Sequence, residues 1–292
     1  MKVAGFTFIR NAILNDYSIK EAILSILPIC DEFVVAVGDS DDETRKLIES
    51  INSPKIKIID TVWDMSLRAG GQTFALETDK AFRAISDDVD WAFYIQGDEC
   101  VHEKYLLLIQ KEMQHNLNNA KIEGLLFKYL HFYASYDFFG QSRRWYRREI
   151  RVVKRNLNVQ SYRDAQGFRI DGRKINVKLI DAYIYHYGWV KPPKGLINKV
   201  NNFNTFYHDE EWINENKLIS NEFDYNNADQ LVKFTDSHPK VFQERKDKMN
   251  WEFDFDITKA NKKLTLRRRI LAWIEQRFGL RLFEYKNYTQ VG

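Results

Sequence analysis

Short apolar runs recur along the N-terminal third of the chain, each about the length of a strand. They cover residues 3–9, 33–37, 56–59 and 91–95. Continuous apolar runs of this length, without alternating polar positions, are typical of parallel strands that are covered on both faces. The pattern therefore predicts four buried strands.

Amphipathic stretches separate these runs. Residues 19–27 place apolar side chains at a spacing near 3.6, residues 41–51 carry acids in the predicted first turn, and residues 73–85 are the third stretch. Alternation of strand and helix favours a doubly wound, mostly parallel sheet flanked by helices, which is an α/β fold.

The pattern changes in the middle of the chain. Residues 123–133 and 177–186 are strand-like, and residues 143–153 are rich in arginine. After Pro192 the composition becomes polar, which favours helices and loops. We therefore expect an α/β domain over residues 1–190 and a mostly helical extension over residues 191–292.

The extension ends in a predicted basic helix over residues 264–283. From Lys259 to Lys286 the sequence has nine basic residues and two acids, Glu275 and Glu284. Its apolar side comprises Leu264, Leu271, Ile274, Phe278 and Leu282. Two interpretations stay open: contact with an anionic membrane surface, or packing on the domain with a solvated basic face.

Composition narrows the class of protein. Hydrophobic residues make up 44% of the 292, and the net charge of +3 argues against a dedicated nucleic-acid binder. The two distant cysteines, Cys30 and Cys100, exclude a cysteine-rich zinc site. Residues 1–9 read as a first strand rather than a signal peptide, and no run approaches the roughly 20 apolar residues of a membrane span. We expect a cytoplasmic protein.

The most informative polar positions follow the fourth apolar run, where residues 96–99 read Gln-Gly-Asp-Glu. Ligands of open α/β sheets bind beyond the carboxyl ends of the strands. Carboxylates there suit Mg²⁺ or Mn²⁺ together with the phosphates of a substrate. The alternative is a solvated turn, because Gly-Asp is common in turns. We favour a metal-diphosphate site at Asp98 and Glu99.

A second candidate is the acidic loop over residues 37–44, which leads from a strand into a helix. Such a loop can accept hydrogen bonds from a nucleoside, and the helix N-terminus favours anions. The simpler interpretation is a helix cap, with Ser40 as the capping residue and Glu43 completing a capping box.

Two further candidates lie in the middle of the chain. Asp164, close to a glycine, is a carboxylate that could act as a general base, although the sequence alone favours a surface turn. His186 lies among aromatic residues, which favours a packed core histidine, but its imidazole could also complete a metal site.

Together these motifs resemble the family 2 glycosyltransferases, which have the GT-A fold and use nucleotide-sugar donors. Arg10 and Asn11 stand where the family has a polar signal after the first strand. Residues 38–44 keep the Ser-x-Asp-x-Thr part of the family's second loop. Asp98 matches the second acid of the Asp-x-Asp motif, and Gln96 replaces the first.

Within the family, residues 1–190 resemble a bacterial branch active in lipopolysaccharide and capsule assembly. Residues 147–155 resemble its arginine-rich strand, residues 164–166 fall near its acidic motif, and His186 with Tyr187 falls near its His-Tyr pair. The resemblance implies inverting transfer of a sugar from a nucleotide-sugar donor to a hydroxyl of a glycan or lipid-linked glycan. Contact of the C-terminal helix with a membrane would place the protein at its inner face.

The resemblance also implies roles for individual residues. Nucleotide-sugar contacts are expected from Arg10, Asn11, Asp39, Asp42, Gln96 and Asp98. A Mg²⁺ or Mn²⁺ ion would be held by Asp98, Glu99 and His186, and the catalytic base would be Asp164, with Glu149 second. A non-catalytic nucleotide- or carbohydrate-binding protein is the alternative, because Gln96 lacks a charge. A sugar-phosphate nucleotidyltransferase would need a glycine-rich loop after the first strand, which residues 10–12 lack.

Overall fold

A computed structural model gives the fold and describes residues 1–291 except 65, 68, 219–222, 224, 226–229, 254–255 and 257–264. The strands are β1 Val3–Ile9, β2 Glu32–Gly38, β3 Ile56–Thr61, β4 Trp91–Tyr94, β5 Glu99–Val101, β6 Gly124–Tyr133, β7 Phe138–Gly140, β8 Arg148–Lys154, β9 Val159–Tyr162, β10 Gly167–Ile170, β11 Arg173–Lys174, β12 Asn176–Trp189, β13 Leu231–Lys233 and β14 Thr289–Gln290. The helices are α1 Ile19–Ile26, α2 Thr44–Glu49, α3 Gln72–Arg83, α4 Leu106–Asn116, α5 Pro193–Asn204, α6 Glu210–Asn216, α7 Gln243–Asp247 and α8 Leu266–Phe278.

The main sheet has eleven strands, and its longest path runs β13-β7-β6-β8-β4-β1-β2-β3. Strands β3, β2, β1 and β4 follow one another along this path and are parallel to each other, whereas β8 is antiparallel to both β4 and β6. The long strand β12 pairs with β6, β5 and β14, and a small separate sheet contains β9, β10 and β11.

Helices cover both faces of the sheet, and the buried strand β2 shows why. Phe33 and Val35 belong to the core cluster that also contains side chains of α1 and α4, whereas Val34 and Ala36 belong to the cluster that contains side chains of α3. Successive side chains of a strand point to opposite faces, so an uninterrupted apolar run needs a cover on each. The predicted α/β class, with a mostly parallel sheet flanked by helices, is confirmed.

The chain beyond residue 190 does more than add helices. Strand β13 pairs with β7, and β14 pairs in parallel with β12, so this segment contributes two strands to the main sheet. The predicted boundary at residues 190 and 191 stays a prediction. Within the described ranges, no helix combines the length and apolar character that crossing a membrane requires.

The predicted C-terminal basic helix is present as α8; its expected first residue, Leu264, lies outside the described residues. Arg143 donates to Glu275 at 2.8 Å, and Arg147 donates to Glu284, which fixes this end of the chain beside the connection between β7 and β8. Apolar side chains of the segment nevertheless stay exposed, among them Leu266, Ile270, Trp273, Phe278 and Phe283. The predicted contact with an anionic membrane stays a prediction.

Candidate functional site

The loops that follow β1, β2 and β4 meet at one edge of the sheet. Ile9 at the end of β1 is in register with Val37 of β2, and Phe6 is in register with Tyr94 at the end of β4. Because the three strands are parallel, their carboxyl ends point the same way and their loops lie together. This edge is where open α/β sheets bind ligands.

Hydrogen bonds join the loops after β1 and β2. The Arg10 Nε donates to the Asp39 carbonyl oxygen at 2.9 Å and lies 3.5 Å from the Asp39 carboxylate. The Asn11 side chain donates to the Asp41 carboxylate at 2.9 Å and accepts from the Asp41 backbone N–H at 2.7 Å. The structure thus brings the predicted residues Arg10, Asn11 and Asp39 together.

Asp42 lies in the same loop, but its carboxylate already accepts local hydrogen bonds. Its oxygens accept from the backbone N–H of Leu14 at 2.7 Å and of Thr44 at 3.0 Å. The contact predicted for Asp42 with a nucleoside stays a prediction. The predicted Ser40 cap is wrong, because the helix begins later, at Thr44, and the Ser40 hydroxyl instead accepts from the Asn11 N–H at 3.1 Å.

Asp98 forms the centre of the loop after β4. Its Oδ2 accepts from the Lys199 ammonium of α5 at 2.9 Å and lies 3.6 Å from the Nε2 of His186. The three side chains are largely buried, with 11–13% of each exposed. Asp98 and His186, both predicted as metal ligands, therefore do lie together, but a lysine shares the site.

The neighbouring ring of His131 determines which nitrogen of His186 donates a hydrogen bond. The His131 Nε2 donates to the Tyr146 carbonyl oxygen at 2.8 Å, and burial lowers the pKa of His131 well below its usual range, so this ring is neutral. Its Nδ1 then has a lone pair, which leaves the Nδ1 of His186, 3.2 Å away, as the donor. The Nε2 of His186 thus faces Asp98 with a lone pair when neutral, and with a proton when charged.

Electrostatics keep Asp98 ionised. Burial raises the pKa of its carboxyl, but the charge of the Lys199 ammonium outweighs burial and holds the pKa well below the usual range. The loop after β4 therefore carries a buried carboxylate with a cation on it.

Glu99 does not join this group. Its carboxylate accepts from Arg151 at 2.7 and 2.9 Å and from the Tyr129 hydroxyl at 2.8 Å, and both charged side chains are buried. Glu99 begins β5 directly after Asp98, but these buried donors take up both oxygens of its carboxylate. Of the three predicted metal ligands, Asp98 and His186 therefore lie together, whereas Glu99 is paired with Arg151.

The predicted base Asp164 lies beside the loop after β4. The Gln96 side-chain amide is 3.5 Å from the carbonyl oxygen of Ala165. The Asp164 carboxylate accepts from the hydroxyl of Tyr207 at 2.9 Å and from the amide of Gln166 at 2.7 Å. Asp164 is thus oriented by two donors close to the end of β4.

Glu149, the second predicted base, is buried on β8. Its Oε2 has no hydrogen-bond partner among the residues that the structure describes. Burial raises the pKa of this carboxyl from 4.5 to about 8; Arg151 opposes the shift, and Glu99 and Asp164 add to it. Such a carboxyl can exchange a proton near neutral pH, as a general base does.

If Glu149 takes the acceptor proton, kcat/KM should rise about tenfold per pH unit up to about pH 8 and level off above it, because only the ionised form accepts a proton. Between pH 4.5 and 8 the folded protein holds a proton on Glu149 that the unfolded chain has lost. The free energy of unfolding therefore falls as the pH rises through this range. Glu149→Gln should therefore have a higher free energy of unfolding than the unaltered protein at pH 9 and nearly the same one near pH 4.

A pH–rate profile and urea unfolding at the two pH values check this prediction. Asp164→Asn is the matched variant, since it removes the other candidate base. A profile that is already level at pH 6, or a Glu149→Gln variant with full activity, would assign the proton transfer elsewhere.

A cavity of about 600 Å³ opens behind His131. Strands β6, β7 and β8 and helix α8 form its walls, with His131, Trp145 and Tyr146 among the aromatic lining residues and Arg143 and Arg281 among the basic ones. His131 also contacts His186, so this cavity adjoins the site at the end of β4.

Sequence reasoning missed the lysines of this site. Lys199 lies 101 residues from Asp98 along the chain, and Lys191, also buried, places its ammonium 5.2 Å from the ring centre of Tyr17. The polar composition after Pro192 predicted helices and loops, and a helix does begin at Pro193, but no local pattern indicated which strand end that helix would meet.

Comparison with protein-family models gave no match, and comparison with curated proteins gave none either. Solved structures show likeness at low identity. Staphylococcus aureus TarS (residues 1–349) in complex with UDP is 11% identical, with a TM-score of 0.42 over 74% of this chain and 69% of that chain. A 4-diphosphocytidyl-2C-methyl-D-erythritol synthase from Anaerococcus prevotii is 13% identical, with a TM-score of 0.39 over 68% and 95%.

Glucosyl-3-phosphoglycerate synthase from Mycobacterium tuberculosis, in complex with Mn²⁺, UDP and glucosyl-3-phosphoglycerate, is 18% identical. Its TM-score is 0.29, over 45% of this chain and 44% of that chain. At these values the likeness assigns neither an activity nor a substrate, which must come from the geometry of the site.

Proposed function

We propose that this protein transfers a sugar from a nucleoside diphosphate sugar to a hydroxyl acceptor. The observation that carries the proposal is the grouping at the carboxyl edge of β1, β2 and β4. There Asp98 of the loop after β4 forms an ion pair with Lys199 of α5, and the carboxylate of Asp164 lies beside that loop. A glycosyl transfer needs both features: charge complementarity for a diphosphate, and a base for the acceptor hydroxyl.

The nucleoside of the donor would bind at the joined loops after β1 and β2. Arg10 and Asp39 present a guanidinium and a carboxylate there, and Asn11 and Asp42 hold the loops together through bonds to Asp41 and Leu14. A carboxylate can accept from the hydroxyls of a ribose, and a guanidinium can stack on a base. The diphosphate would then extend toward Asp98, with Gln96 beside the sugar.

A divalent cation, as predicted from the resemblance, does not fit the described residues well. Asp98 and His186 could supply two ligands, but Glu99 is committed to Arg151 and the Lys199 ammonium occupies Oδ2 of Asp98. The described part of the chain contains no group of three His, Cys, Asp or Glu side chains that could hold a metal ion. The proposed reaction therefore uses no divalent cation.

In the transfer step, the acceptor oxygen forms a bond to the anomeric carbon while the bond from that carbon to the diphosphate oxygen breaks. The proton of the acceptor hydroxyl passes to Asp164 or Glu149, and the nucleoside diphosphate leaves. Attack from the face opposite the leaving group inverts the anomeric carbon. The cavity behind His131, with its arginines and aromatic rings, is where we place a glycan or lipid-linked glycan acceptor.

A panel of UDP-, GDP- and CDP-sugars tests the proposal. At least one should raise the melting temperature. The protein should also transfer the sugar of that donor slowly to water or rapidly to an acceptor glycan, and release the nucleoside diphosphate. Stabilisation by donors without any release of diphosphate would favour the alternative, a non-catalytic binding protein. Absence of both responses across the panel would reject the transferase.

A further inference from the structure

We propose that Lys199 takes the place of a divalent cation at the carboxyl end of β4, so that the diphosphate of the donor binds without a metal ion. The inference rests on the proposed function and specifies how its diphosphate site works. Lys199 lies on α5, outside the part of the chain whose sequence motifs indicated a function.

The position of the ammonium is fixed by two acceptors. Its Nζ donates to Oδ2 of Asp98 at 2.9 Å and to the carbonyl oxygen of Gly188 at 2.8 Å. An ammonium has three N–H donors. Among the described residues these two bonds use two of them, which leaves one for an oxygen of the diphosphate. An ammonium held by a carboxylate and donating to a phosphate does what a bridging cation does.

Close backbone packing makes room for this ion pair. A Cβ atom at Gly188 would lie 2.5 Å from Oδ2 of Asp98 and 2.6 Å from Nζ of Lys199. Any larger residue at this position would push the two charged groups apart. The end of β12 is therefore shaped around the pair, and the Tyr187 N–H also donates to the Asp98 carbonyl oxygen at 2.8 Å.

A second buried lysine, Lys191, lies near this ion pair. Burial lowers its pKa from 10.5 to about 7, so an anionic ligand would favour its charged form. The ammonium groups of Lys191 and Lys199 lie 5.2 and 5.5 Å from the centre of the same ring, that of Tyr17. Asp16 partly balances Lys191, at 3.9 Å. Cations that converge on a partly closed site attract anionic ligands. A divalent metal ion on Oδ2 of Asp98 would in contrast meet the repulsion of an ammonium already on that oxygen.

Nucleotide binding with and without metal tests the inference. UDP, GDP and CDP are titrated calorimetrically into the protein in EDTA and in Mn²⁺. The unaltered protein should bind its preferred nucleotide with affinities within about twofold in the two conditions. Lys199→Met should weaken binding in EDTA at least about tenfold, as expected for the loss of a charged hydrogen bond.

Two further variants separate charge from folding. Lys199→Arg keeps a cation at this position and should restore most of the affinity in EDTA. Lys194→Met removes an exposed lysine from the same helix and should bind like the unaltered protein. Melting temperatures check that each variant folds. If Lys199→Met does not fold, the comparison of EDTA and Mn²⁺ on the unaltered protein still decides whether nucleotide binding needs a metal ion.

The inference would be overturned if the unaltered protein bound nucleotide only with Mn²⁺, or if folded Lys199→Met kept full affinity in EDTA. Both results leave the proposed function standing. Failure of all three nucleotides to bind the unaltered protein in either condition would overturn the proposed function together with the inference.

Discussion

Replacing Asp98 by asparagine should lower kcat/KM for glycosyl transfer at least about 100-fold while the protein stays folded. The amide has the shape of the carboxylate but no charge, so it no longer holds the Lys199 ammonium, 2.9 Å away, where the diphosphate needs it. Loss of one preorganised electrostatic contact in an active site typically costs a factor of about 100 to 1,000.

Asp181→Asn is the matched control for this prediction. Asp181 also pairs with a lysine, Lys128, but its side chain is 79% exposed and takes no part in the proposed site. The rate of transfer and the melting temperature are measured for both variants. An Asp98→Asn protein within about threefold of the unaltered rate would show that Asp98 has no role in transfer.

Replacing Arg151 by alanine should have the largest effect on stability. Arg151 and Glu99 are both buried, and two hydrogen bonds of 2.7 and 2.9 Å join them. Without the guanidinium, the carboxylate of Glu99 stays in the core with no opposite charge, which costs about 3–5 kcal/mol of unfolding free energy. Urea unfolding followed by circular dichroism measures this loss.

Arg45→Ala is the control, because Arg45 pairs with Glu49 at the surface, where the two side chains are 47% and 49% exposed. This variant should lose less than about 1 kcal/mol. Adding Glu99→Gln to Arg151→Ala should recover part of the loss, since the unpaired charge is removed. If the two arginine variants lost the same small amount of unfolding free energy, the pair of Arg151 and Glu99 would stabilise the protein no more than an exposed ion pair does.

Continuous apolar runs in the sequence predicted the regular part of the fold. Strand β1 and the starts of β3 and β4 agree with the predicted runs, because burial on both faces demands continuous apolar residues. Short strands such as β5 and β7, with three residues each, were not predicted. Their existence depends on distant pairing partners, which a local pattern does not contain.

The candidate site shows the same division. The strand-end rule located Asp98, Arg10 and Asp39 at one edge of the sheet. It could not show that Glu99 pairs with Arg151, because that contact joins residues 52 positions apart. Nor could it place Lys199, because its contact joins residues 101 positions apart. A pair of adjacent acids in a sequence says little about whether both face one ligand.

The most direct test of the central claim is a crystal structure with the nucleotide that gives the largest thermal shift. We predict that its diphosphate lies within hydrogen-bonding distance of the Lys199 ammonium, with the nucleoside between the loops that contain Arg10 and Asp39. A nucleotide bound elsewhere, for example in the cavity between α8 and the β6–β8 strands, with the carboxyl edge of β1, β2 and β4 empty, would contradict the account.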